Sequence, residues 1–377
     1  MKIGFEGKRA VRNATGLGNY SRLIIDELAE HFPQHQYLVY SPTPDTRHRL
    51  DRMLQRDNVS LLLPKGCWLE KKLWRSFYGL AAQAQRDGVD ILHGLSAQLP
   101  FATSRYDLKS VVTVHDLIFC HFPEFYGSIN AAIYKFKSRH ACKVADRVIA
   151  ISECTKRDIV RFLGINADKI DVVYQGCDPL FSEPVSDDDT TRVREVNRLP
   201  QRYLLNVGTI EERKNVLLII KALEKINDKD IHLVVVGRRT KYTDLVDDYA
   251  RQHGVEHRVR YLSNVPTEDL PALYHMAQAF IYPSRYEGFG IPIIEAQSCG
   301  APVIAATGSC LEEAAGPDAL FVHPDSTDEM VEAINSLLND EALRQSLIEK
   351  GRDNIKRFEP AVIAQNMMNV YQKVLNL

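Results

Sequence analysis

Residues 287–304, EGFGIPIIEAQSCGAPVI, restrict what this chain can fold into more than any other stretch. The preceding run AFIYPS, at 279–284, reads as a buried parallel strand. Gly288 and Gly290 then turn the chain, and a helix opens near Ile291–Pro292, where a first-turn proline loses no needed donor. Cys299 and Gly300 close it before another apolar run. A strand, a glycine turn and a helix in that order put the turn at the strand's carboxyl end, where open α/β sheets hold ligands. Glycines let a ligand approach the backbone, and the free N–H groups of a new helix suit an anion. Glu287 and Glu295 flank the turn. A carboxylate one helical turn in can accept hydrogen bonds from hydroxyls. A simple strand–helix turn with two solvated glutamates also fits this stretch taken alone.

The same alternation runs through the chain. Strand-like runs fall at 2–5, 37–40, 59–62, 91–93, 111–114, 148–151 and 170–174, then at 203–208, 231–237, 258–262, 279–282 and 302–305, with helical patterns between. Two such series predict an α/β protein with two parallel, doubly wound sheets. The polar, proline-marked and acidic segment between them, 181–200, reads as a linker. It separates an N-terminal domain, 1–180, from a C-terminal domain, 201–359, and the end of the chain, 360–377, reads as an amphipathic helix.

With 377 residues, two cores are expected. A net charge of −2 carries no nucleic-acid signature. The charge is uneven, +6 over 1–180 and −8 over the rest, so an anionic partner is expected on the first half. Seven cysteines without Cys-x-x-Cys spacing argue against a disulfide framework or zinc site and fit a reducing, cytoplasmic setting. The opening KIGF is not a leader, and no apolar run approaches the ~18 residues of a spanning helix.

Four more segments carry candidate chemistry. In NVGTIEERKN a strand ends at Gly208, and Arg213–Lys214 open a helix; a cationic pair can neutralise a departing diphosphate without metal. IHLVVVG likewise ends at Gly237. ATGLGNY sets Gly16 and Gly18 before a helix. TVHDL puts His115 at a strand's carboxyl end, and ILHG puts His93 in a similar place. Each also has an ordinary structural reading: a surface basic pair, a loop–helix junction, a hydrogen-bonded core histidine. Ser152 reads as a helix cap, and the acidic SDDDTT at 186–191 as a solvated run rather than a metal site.

The full stretch from Glu287 through Gly-Phe-Gly, an apolar run, Glu295 and Gly-Ala-Pro-Val closely resembles the signature of the retaining glycosyltransferases of family 4. The resemblance implies the GT-B architecture, two Rossmann-like domains facing across a cleft with the last helix crossing back onto the first. It implies that Glu287 and the backbone of Phe289, Gly290 and Ile291 hold the donor sugar and diphosphate, and that Glu295 binds the ribose. Arg213 and Lys214 match the family's basic pair on the leaving diphosphate. Gly16, Gly18, Gly208 and Gly237 match its glycine turns around the donor, and His115 its histidine beside the reacting sugar. Departures are Thr209 in place of an arginine, Leu17 between two glycines, and Gln175 and Cys177 within the segment leading to the linker.

The function implied is transfer of a hexose from a nucleoside diphosphate sugar, GDP-mannose first, to a glycan or glycolipid acceptor, with no metal or other cofactor. A GT-B epimerase and a non-catalytic nucleotide-sugar-binding protein are the alternatives. Aromatic and basic residues at 68–86 and 134–143 point to peripheral membrane contact by the first domain, against the plainer reading of core-packed helices with charged outer faces.

Overall fold

Every strand pairing in the structure, a computed structural model describing residues 1–64 and 74–377, is parallel. The chain divides into two units, Met1–Gly176 with Glu359–Leu377, and Cys177–Phe358. In the first, β1 (Lys2–Glu6), β2 (Gln36–Tyr40), β3 (Val59–Leu62), β4 (Ile91–Gly94), β5 (Lys109–Val114), β6 (Arg147–Ala150) and β7 (Ile170–Val172) take the order β3-β2-β1-β4-β5-β6-β7. In the second, β8 (Tyr203–Val207), β9 (His232–Val236), β10 (Val259–Leu262), β11 (Ala279–Tyr282), β12 (Val303–Ala306) and β13 (Leu320–Val322) take the order β10-β9-β8-β11-β12-β13. Runs such as AFIY and VIAA are buried throughout, because helices cover both faces of such sheets.

In each sheet the order reverses beside the first strand, between β1 and β4 and between β8 and β11. Loops leaving these neighbours diverge to opposite faces and open a crevice at their carboxyl ends. That topology, rather than sequence proximity, decides which loops meet.

The last helix, Pro360–Leu375, belongs to the first unit. It packs beside the helix Gly16–His31 and buries Ile363, Met367, Met368 and Tyr371 in that unit's core. Tyr371 Oη lies 2.7 Å from His93 Nδ1, and His93 Nε2 lies 2.8 Å from Thr113 Oγ1. His93 is therefore a buried strut between β4, β5 and the chain's end. Burial lowers its pKa to about 3, and His115 nearby adds to the shift.

Two expectations are corrected, the linker and the membrane-facing Trp74. Residues 181–200 are not a linker: they lie in the second unit and contain the helix Asp187–Asn197. Ser186 caps it, accepting from the Asp189 amide at 3.1 Å, and three aspartates occupy its first turn, where the helix dipole favours negative charge. Arg192 ties it to Asp269 at 2.8 Å. Of the expected aromatic and basic segment 68–86, residues 68–73 lie outside the described residues, and the helix described beyond them is Gly79–Arg86. Trp74 is buried and donates to Gln83 Oε1 at 3.1 Å, so it is not a membrane anchor. Finally β13, three residues long at the sheet edge, gave no readable period.

Candidate functional site

Arg213 and Lys214 follow β8, and Glu287 follows β11, the two strands flanking the second sheet's switch point. Arg213 Nη1 lies 2.8 Å, and Lys214 Nζ 2.5 Å, from the same carboxylate oxygen, Glu287 Oε1. Ser284 donates to that oxygen at 2.8 Å and Tyr282 at 3.2 Å. Arg213 is further held by the Tyr286 carbonyl at 2.5 Å and Glu211 at 2.6 Å. The three charged side chains are only 11%, 16% and 11% exposed, so they interact through protein rather than water. Burial alone would raise the Glu287 pKa; the Lys214 and Arg213 charges outweigh it and hold the carboxyl below its usual range. Burial would likewise lower both cations, but Glu287 raises them above their ordinary values. All three stay charged at any physiological pH.

The backbone fixes this meeting. Asn215 adopts a left-handed conformation (φ 58°) between the short turn Glu212–Lys214 and the helix Val216–Lys225. Its amide donates to the Pro283 carbonyl at 3.2 Å and the Pro324 carbonyl at 2.7 Å, and the Arg285 amide donates to the Arg213 carbonyl at 2.9 Å. The loop after β8 is thereby zipped to the loop after β11. Gly208 lies directly beneath the Lys214 stem. A Cβ on Gly237 would stand 1.9 Å from the Gly208 carbonyl oxygen, so Gly237 exists to let two strand ends touch.

Gly290 caps the helix Ile291–Ser298 at φ 114°, a conformation side chains resist. Phe289 turns its ring inward onto Phe358, centroids 5.4 Å apart, which leaves only its backbone to a ligand. The Cys310 thiol donates to the Glu287 and Phe289 carbonyls at 3.1 and 3.0 Å and pins the turn from inside. One turn into the helix, Glu295 Oε2 accepts from Tyr274 at 2.8 Å. Burial, with Asp178 adding, raises its pKa to about 7 despite that bond. The second unit thus offers two buried cations, a carboxylate whose Oε1 takes four donors, a helix start and a second carboxylate beyond it. Such a set can hold a phosphate group and hydroxyls together.

In the first unit Gly16 opens the helix Gly16–His31 with open space where a Cβ would stand. Gly18 differs: a Cβ there would meet the Asn13 carbonyl at 2.0 Å. Tyr20 from this helix meets the His115 ring edge-on, centroids 4.5 Å apart. His115, expected beside the reacting sugar, is hydrogen-bonded at both ring nitrogens. Its Nε2 faces the Leu95 carbonyl at 2.8 Å and must carry the proton, while Nδ1 accepts from Gln175 at 2.9 Å. Both nitrogens are hydrogen-bonded, and burial lowers the pKa to about 4, so the ring is neutral near pH 7. Gln175, which departs from the family segment, is what locks it. Sequence reasoning also passed over Tyr274, Tyr282, Ser284, Asn215 and Cys310. Only Asn215, next to the basic pair, carried a local signal.

Two family models match the chain: "Glycosyltransferase Family 4" over residues 14–180 and "Glycosyl transferases group 1" over residues 187–354. An O-antigen chain mannosyltransferase B from Escherichia coli is 29% identical over 99% of this chain and 100% of its own. A D-inositol 3-phosphate glycosyltransferase from Xylanimonas cellulosilytica is 30% identical over 78% of this chain and 74% of its own. Sucrose-phosphate synthase from Thermosynechococcus elongatus shares the fold, with TM-score 0.79 and 20% identity over 100% of this chain and 99% of its own.

Proposed function

This chain belongs to the glycosyltransferases of family 4 and group 1, with the GT-B fold, and from that premise we propose that it is a retaining hexosyltransferase using a nucleoside diphosphate sugar, GDP-mannose first. The acceptor is a glycan or lipid-linked glycan. One observation carries the reading: Arg213 and Lys214 converge on a single oxygen of Glu287 beside the helix start at Gly290. Mannose takes precedence because the Escherichia coli relative, matched along its whole length, is a mannosyltransferase.

In this reading the diphosphate sits against Lys214, Arg213 and the first N–H groups of the helix Ile291–Ser298, and Glu295 accepts from the ribose hydroxyls. An ammonium has three N–H donors. Glu287 and Tyr282 take two from Lys214, which aims the third. The bond from the sugar's anomeric carbon to the β-phosphate oxygen breaks, and charge grows on that oxygen beside two preorganised cations, which supply the neutralisation a metal would otherwise give. Glu287, surrounded by four donors and held ionised, is a poor base and a poor nucleophile. It orients the sugar. The acceptor oxygen bonds to the anomeric carbon on the face the diphosphate leaves, and its proton passes to the departing phosphate oxygen. His115 supports the first unit's loop and takes no proton.

The first unit also makes peripheral contact with anionic membrane in this reading. On the helix Ser128–Val144, Ile129, Ile133 and Phe136 are exposed at helical spacing among Lys135, Lys137 and Lys143. Phe101 joins Phe136 to the exposed Phe77, centroids 6.2 and 5.9 Å apart. Sedimentation with phosphatidylglycerol vesicles tests it: loss of binding in Ile129→Asp/Phe136→Asp is expected, and equal binding to phosphatidylcholine would refute it.

The transferase reading is tested by incubating the protein with GDP-mannose, UDP-glucose and UDP-N-acetylglucosamine, following thermal stability and release of nucleotide. Stabilisation by a nucleotide sugar is expected. Stabilisation by none, or epimerisation of the sugar without acceptor, would refute it.

A further inference from the structure

We propose that the first unit carries a sugar-binding subsite at the carboxyl end of β1, in which Glu6 and His140 take a hydroxyl-bearing edge of the acceptor. Calling the ligand an acceptor rests on the transferase reading; the subsite itself rests on the following geometry.

Glu6 ends β1 at the first sheet's switch point and is 2% exposed. Its Oε1 accepts from the Lys8 amide at 3.3 Å. Its Oε2 is buried and has no hydrogen-bond donor among the described residues. Arg75 Nη1 stands 3.6 Å away, within ion-pair range but beyond a hydrogen bond, and donates instead to Gln98 Oε1 at 2.5 Å. Leaving a buried carboxylate oxygen without a donor is costly, and such groups need a reason. Lining the same recess, His140 Nε2 is a second buried polar atom without a partner among the described residues. The His140 ring packs on Phe101, centroids 4.6 Å apart.

The recess holds about 390 Å³ including its open mouth, of which about 30 Å³ can take the centre of a water. That is room for one or two hydroxyl groups, not for a whole ring. Gly94 makes the enclosure possible: a Cβ there would stand 2.0 Å from the Gln98 carbonyl, so the loop after β4 can fold back over the end of β1.

The charges select the ligand. A metal ion or amine would meet Arg75 and Lys137, both on the recess wall. A phosphate oxygen at the floor would meet the Glu6 carboxylate. A neutral O–H satisfies Glu6 Oε2 as donor, a neighbouring hydroxyl satisfies His140 Nε2 in either tautomer, and Phe101 offers an apolar surface to sugar C–H groups. Adjacent hydroxyls on one ring edge supply both contacts.

The test titrates full-length protein with methyl α-mannoside, methyl α-glucoside and methyl N-acetylglucosaminide, following the His140 ring by NMR, its signal assigned by its loss in His140→Phe. A saturable shift with at least one glycoside is expected. Glu6→Gln should weaken it roughly tenfold or more, while thermal stability holds or rises and stabilisation by GDP-mannose is unchanged. No shift with any of the three glycosides, or glycoside binding unchanged in Glu6→Gln, would overturn the subsite. A lower melting temperature with glycoside binding intact would make Glu6 structural and also overturn it. Failure of every nucleotide sugar to bind wild type would instead strike the transferase reading and leave the His140 shift to decide the subsite.

Discussion

Lys214 Nζ and Glu287 Oε1 stand 2.5 Å apart although 73 residues separate them, and Arg213 shares the same oxygen. Neither cation can be removed without changing the other's counter-charge.

Lys214→Ala should lower kcat by about two orders of magnitude or more, as for loss of a preorganised charge partner, with a smaller change in donor KM. Glu287→Gln should behave differently. It leaves two buried cations facing an uncharged amide, so it should cost about 3 kcal/mol of stability as well as activity. Chemical denaturation of both variants alongside kinetics checks the contrast. Because Glu287 is lowered and both cations are raised, the triad's stabilisation should be constant from pH 5 to 10. It is lost in acid, as pH falls from the unfolded carboxyl pKa through the lower folded one, and in strong alkali, as pH rises from the unfolded lysine pKa toward the higher folded one.

Donor affinity should depend on pH through Glu295. A carboxyl titrating near 7 is partly protonated at neutrality, and only the ionised form offers both oxygens as full acceptors to the ribose hydroxyls. The Kd for a nucleotide sugar should tighten about tenfold from pH 6 to pH 8. Glu295→Gln should flatten that profile. Calorimetry at three pH values decides it. The same raised pKa costs stability as pH rises from about 4.5 to 7, since the unfolded chain ionises this group more readily.

Gly237→Ala should disable the second unit without touching a charged residue. The new methyl must displace the Gly208 carbonyl and, with it, the backbone beneath Lys214. A loss of about 2 kcal/mol or more is expected, together with loss of nucleotide binding. Thermal unfolding with and without nucleotide sugar measures both.

The first unit should loosen in mild acid. His93 and His115 are buried and neutral, with pKa values lowered to about 3 and 4. Each contributes stability above the unfolded value near 6.5 and loses it as pH falls toward its folded value. Hydrogen exchange between pH 7 and 4.5 should show rising opening in β4, β5 and Pro360–Leu375. In His93→Phe that rise should be smaller, from a lower starting stability because Tyr371 and Thr113 lose their partner.

Much of this protein was legible in one dimension. The apolar runs at β8, β9, β11 and β12 announce buried parallel strands, because strands covered on both faces need no alternation. The glycine turn between Glu287 and Glu295 announces a strand–helix junction, because few other residues accept the conformation of Gly290. Such features depend on neighbours within a few residues. The helix at Asp187–Asn197 misled for a related reason: its polar face and acidic first turn imitate a linker until Ser186 and Arg192 are seen to anchor it.

Tertiary structure alone decided which groups meet and which charge state each keeps. It brought Lys214 to Glu287 across the β8–β11 switch point, committed both nitrogens of His115 to Leu95 and Gln175, and left Glu6 Oε2 without a donor among the described residues. The physical reason is that backbone preference is local, whereas desolvation and hydrogen bonding depend on what the fold packs around an atom. The same glutamate side chain is held ionised at 287 and partly protonated near neutrality at 295 because two cations face the first, while at the second burial, with Asp178 adding, outweighs the Tyr274 hydrogen bond.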